Sequence, residues 1–194
     1  LKRIGTVLLG ALTGALSAPT SYLPIGNFPG FAIFGVCIGL GASGSCNGLV
    51  LGTYLGPGVV FGLVFGYVLR PGFRSGWAGA AGFALASIVA NALAVMAAVN
   101  GFQGIQPLLG RAELLAEAFG GLVGGAVGGG LLGLAAAALI PGLRWRRLLA
   151  AGAGLGLLLP LALSEALGWP GLFIFYILWQ SGYAATLAGA RPRE

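Results

Sequence analysis

From Gly30 to Leu69 the chain runs forty residues without one charged side chain. As a single straight helix this run would be about twice as long as the hydrocarbon core of a bilayer, roughly 30 Å. It is too apolar for a water-facing surface and too long for one crossing. The rest of the chain is of the same kind. Of 194 residues, 58% are hydrophobic and 7% charged, whereas a soluble domain carries about 25% Asp, Glu, Lys and Arg. Lipid is therefore the solvent and the bilayer the first partner. The apolar runs are continuous, not alternating as in barrel strands. The fold class is all-α: a polytopic transmembrane helical bundle forming a single integral membrane domain over 1–194.

The apolar segments are Ile4–Ala18, Gly30–Leu69, Gly76–Val99, Ala118–Ile140, Leu148–Leu167 and Gly171–Ala188. Lys2-Arg3 before the first has the layout of a signal peptide, with Ser17-Ala18 where cleavage would fall; we read the segment as a span. Cytoplasmic loops are rich in Lys and Arg. With both termini cytoplasmic, Lys2, Arg3, Arg70, Arg74, Arg144, Arg146, Arg147, Arg191 and Arg193 lie inside and Arg111 outside. Residues 30–69 must then make one full crossing plus a re-entrant or broken helix, giving about six spans. A seven-span layout moves Lys2 and Arg3 outside. This is the pattern of a multi-pass protein of a bacterial cytoplasmic (inner) membrane. The net charge of +6 sits at segment ends with no aromatic-interleaved basic stripe, so nucleic acid is not expected as a partner.

Gly41-Ala42-Ser43-Gly44-Ser45-Cys46-Asn47-Gly48 holds four glycines in eight residues, a weak helix former. If a span begins at Gly30, this stretch lies near mid-membrane, where irregular backbone is tolerated only in protein or beside a water-filled cavity. Transporters place substrate sites at such breaks, which makes Ser43, Ser45 and Asn47 candidate substrate or pore residues. A plain turn between two helices is the alternative. Gly56-Pro57-Gly58 reads as a second break, with Pro57 starting the partial helix. Cys37 and Cys46 read as packed thiols.

Gly121, Gly125, Gly129 and Gly133 recur every four residues, with Gly120, Gly124 and Gly128 as a parallel row; Gly10 and Gly14 repeat the spacing in the first segment. Residues four apart share a helical face, and a glycine face lets another backbone approach closely. Such a glycine zipper can serve the chain itself, other membrane subunits or a homo-oligomer. Trp77, Trp145 and Trp169 fall at segment ends, where amphipathic rings favour the headgroups.

There is no His and no Asp. A His-held haem, a His-rich metal centre and a Ser–His protease are excluded, and neither metal nor cofactor is expected. Gly41-Ala42-Ser43-Gly44 resembles the nucleophile motif of rhomboid intramembrane proteases, but that family needs a His and this chain has none. The polar groups at depth are Asn91, with Ser87 one turn before it, Gln180, followed by Ser181, and Glu165. Each is a candidate for binding a solute, or for bonding between helices and, for Glu165, contact with headgroups. Glu113 and Glu117 fit a helix N-terminus and pairing with Arg111.

The expected function is a transport component: a channel, a small carrier or the substrate-binding subunit of a larger importer. Ala11 and Ala15 resemble the Ala-x-x-x-Ala contact motif in the first helix of vitamin-binding subunits of energy-coupling importers, which also have six spans. The alternative is a non-catalytic assembly subunit of a larger membrane complex. An enzyme acting on lipids lacks a visible nucleophile–base pair, and the chain is read as a non-enzyme.

Overall fold

A computed structural model describes residues 3–21, 31–33, 36–38 and 51–190. The elements are α1 (Arg3–Thr20), β1 (Phe31–Ile33), β2 (Val36–Ile38), α2 (Leu51–Leu69), α3 (Trp77–Leu109), α4 (Glu113–Leu139), α5 (Trp145–Gly156), α6 (Leu159–Leu163) and α7 (Trp169–Gly189). Apart from the small β1–β2 ribbon the fold is helical. Five helical segments are long and apolar enough to cross a membrane, α5 and α6 counting together as one. The α1 stretch Ile4–Thr20 is apolar but shorter.

Three expectations change. Gly30 does not open a spanning helix: β1 and β2 pair antiparallel, with Phe31 opposite Ile38 and Ile33 opposite Val36. Phe-Ala-Ile and Val-Cys-Ile are rich in the aromatic and β-branched residues that suit extended pairing. Pro57 lies inside α2 and does not begin a partial helix. As the seventh residue of α2 it lacks the amide that would donate to the carbonyl of residue 53, so one intrahelical bond is forgone. Residues 100–109, expected as a loop, are the last turns of α3, which runs 33 residues. Pro107 lies inside these turns and forgoes the amide bond to the carbonyl of Gln103, and Gly110 reverses the chain at φ 60°, a conformation that favours glycine. The candidate residues Ser43, Ser45 and Asn47 lie outside the described residues.

The helices form a closed ring. α1 packs on α2, α2 on α3, α3 on α4, α4 on α5, α5 on α7, and α7 back on α1; α6 lies against α4 and α7. Successive spans alternate in direction, which gathers the arginines at one end. There the Arg74 amide donates to the Leu139 carbonyl (3.3 Å) and the Arg144 amide to that of Ala190 (3.2 Å). The Arg70 guanidinium lies over the Trp77 ring at 4.3 Å, an electrostatic attraction to the ring face. Arg111, Glu113 and Glu165 lie toward the opposite end.

The outer wall is apolar. Ile4, Leu8, Leu12 and Leu16 are exposed along α1, as are Leu85 and Val89 on α3 and Ile174 and Leu178 on α7. Exposed apolar stripes of this kind fit lipid as the surrounding medium. The buried core fills the basic half of the ring: Phe61, Phe65, Leu69, Phe73, Phe83, Leu132, Ala136, Ile140, Leu148, Tyr183 and Leu187. Phe61 and Phe65 stack at 4.3 Å, and Trp179 and Tyr183 stack at 5.4 Å.

Glycine sets how closely the ring is drawn. The two rows of α4 face two neighbours. A methyl group on Gly124 would stand 2.6 Å from the Ala94 carbonyl of α3, and one on Gly120 2.6 Å from that of Ala98. One on Gly121 or Gly125 would run into the α5 carbonyls of Gly156 or Gly152; one on Gly129 would stand 2.8 Å from the Gly152 Cα, and one on Gly133 3.0 Å from the Leu148 Cβ. On α1, a methyl group on Gly10 would stand 2.7 Å from the Gln180 carbonyl, and one on Gly14 would collide with that of Tyr176. Cβ atoms at such distances would force the helices apart, so these faces are occupied within the chain.

Candidate functional site: a cavity inside the helix ring

The half of the ring not filled by core holds a cleft of about 570 Å³, within the range of small-molecule sites. Every ring element takes part, α1 through Ser21 just after its end. Its floor is Phe61, Leu132 and Gln180. Directly beneath, the Tyr183 hydroxyl donates to the Gly129 carbonyl (2.9 Å) and ties α7 to α4. Away from the floor the lining passes Asn91 and Val95 of α3, Phe175, Tyr176 and Trp179 of α7, and reaches Phe102 and Glu117.

Helical spacing builds a polar face along α1, of which Ser21 reaches the cavity. Thr6, Thr13, Ser17 and Ser21 are all buried; the last three follow at four-residue steps and share a face of α1, packed against α7. Gln180 Nε2 donates to Ser17 Oγ (2.7 Å), whose own hydroxyl donates to the Thr13 carbonyl (2.8 Å). Ser21 Oγ lies 3.1 Å from the Tyr176 hydroxyl. Gln180 is 1% exposed, and its Oε1 has no hydrogen-bond partner among the described residues. A buried acceptor without a donor costs about 1–3 kcal/mol, and here the side chain lines an open space.

Of the candidate residues read from the sequence, Asn91 and Gln180 come together on this cavity. Asn91 also donates from Nδ2 to the Tyr54 carbonyl (2.6 Å), joining α3 to α2. Ser87 lines the wall and is buried. Glu165 does not join them. It is exposed in the turn between α6 and α7. Glu117, read from the sequence as a helix-terminus charge paired with Arg111, instead lines the cavity and forms no salt bridge among the described residues. Glu113 is exposed at the start of α4, and the helix has no side-chain cap.

Ser21 and Tyr176 line the cavity without being among the candidates read from the sequence. The four-residue spacing of Thr13, Ser17 and Ser21 was the available signal; for Tyr176 there was none. No group of three or more His, Cys, Asp or Glu that could hold a metal occurs among the described residues. Comparison with protein-family models, curated proteins and solved structures finds no match to this chain.

Proposed function

We propose that the protein is a membrane transport component whose solute site is the cavity inside the ring. The observation that carries this reading is a 570 Å³ cleft lined by Gln180, whose buried Oε1 has no hydrogen-bond partner among the described residues. A bundle built only for packing would close such a space, because voids forfeit contact energy and orphaned acceptors are destabilising. The orientation proposed is six spans with the arginine-rich end in the cytoplasm, α1 being the sixth. The cavity then occupies the outer half of the membrane.

The assembly-subunit reading drew on glycine faces able to receive foreign helices. With those faces taken up by α3, α5 and α7 of the same chain, the transport reading is the better supported. Purification in mild detergent tests it. A stable protein recovered alone or as a homo-oligomer is expected. Retention of other subunits in fixed stoichiometry would overturn the reading in favour of assembly.

A further inference from the structure

We propose that the cavity takes an amphipathic organic cation: an amine or quaternary ammonium on an apolar, ring-sized body. The assignment rests on reading the cavity as the solute site and adds the chemical class of what enters it.

Charge is the first argument. Among the described residues Glu117 is the only acidic residue lining the cavity, and no Lys or Arg lines it. Among the described residues Arg111 is the one basic residue toward that end of the ring, and it forms no salt bridge with Glu117. Residues 22–50 contain no charged side chain, so this segment supplies no counter-charge. An uncompensated carboxylate beside an apolar space favours a cation and repels an anion.

The walls supply the second argument. Phe61, Phe102, Phe175, Tyr176 and Trp179 all line the space. Aromatic faces attract cations, more strongly once water is excluded, and they take up an apolar body equally well. The third is Gln180, a lining residue whose Oε1, buried as it stands, has no donor among the described residues and on turning toward the space would accept from an N–H group. A bare metal ion fits poorly, since hard cations take six or more oxygen ligands and this wall is mainly hydrocarbon and glycine.

The test is titration calorimetry on the full chain in mild detergent with three near-isosteres: 1-naphthylmethylammonium, 1-naphthalenemethanol and 1-naphthoate. The cation is expected to bind at least tenfold more tightly than the alcohol, with no binding of the carboxylate. Glu117→Gln is expected to remove the tenfold preference while leaving binding of the alcohol in place. Glu165→Gln, outside the cavity, is expected to leave all three unchanged. Retained alcohol binding in Glu117→Gln also shows that this variant is folded. Equal binding of cation and alcohol to the unmodified protein, or a preference that survives Glu117→Gln, would overturn the cation assignment and leave the cavity reading standing. Absence of binding by all three would remove both.

Discussion

At the scale of single residues, the same amino acid does opposite things at positions a few residues apart. Gly125 faces the Gly152 carbonyl so closely that no Cβ fits, whereas Gly154, two residues further along α5, has open space around it. Gly125→Ala should therefore destabilise the protein by about 1–3 kcal/mol, the usual range for overpacking. Gly154→Ala should be neutral or stabilising by up to about 1 kcal/mol, because alanine is the better helix former. Thermal unfolding in detergent reads both, and equal effects would show that α4 and α5 do not touch as described. The recurrence of glycine every fourth residue was plain in the sequence. Which neighbour each row meets was not, because spacing defines a face and not its occupant. Glu117 shows the same limit: a glutamate one turn into a helix looks like a dipole partner until the opposite wall is known.

At the scale of elements, helix content and the principal spans were legible because lipid imposes one period and one length on every segment. Boundaries were harder. Asn100 to Gly110, with its glutamines and proline, has the composition of a loop, yet all but Gly110 is α3. At 1.5 Å per residue the 33 residues of α3 reach about 50 Å, well beyond a hydrocarbon core of roughly 30 Å. One end must stand clear of the apolar layer, and the amide-bearing end is the one that water tolerates. With Cys37 and Cys46 replaced by serine, a single cysteine at the exposed Gln103 should react with a membrane-impermeant maleimide in intact cells. Protection of that site until the membrane is permeabilised would mean that α3 is tilted or sunk. Residues 30–50 resisted reading for a different reason. Without a charge in the run, nothing in the sequence marks where one element yields to the next.

At the scale of the whole molecule, alternation of the spans brings Arg70, Arg74, Arg144, Arg146 and Arg147 to one end, bound together by main-chain hydrogen bonds. On the positive-inside tendency we propose that this end is the cytoplasmic one. A lone cysteine at Ser75, which is exposed beside Arg74, should be labelled by an impermeant maleimide in inverted vesicles and not in intact cells. The reverse pattern would invert the whole assignment. The arginines alone suggested this layout. Closure of the helices into a ring needed pairwise contacts that no single segment encodes.

The tie from Tyr183 to Gly129 has a kinetic meaning. With that hydroxyl engaged and the aromatic layer below it packed, a molecule held above, as we propose, would reach one compartment only. On the transport reading proposed above, passage to the other side would require α7 and α4 to part at this latch, an obstacle set by the phenol and not by the walls that greet the solute.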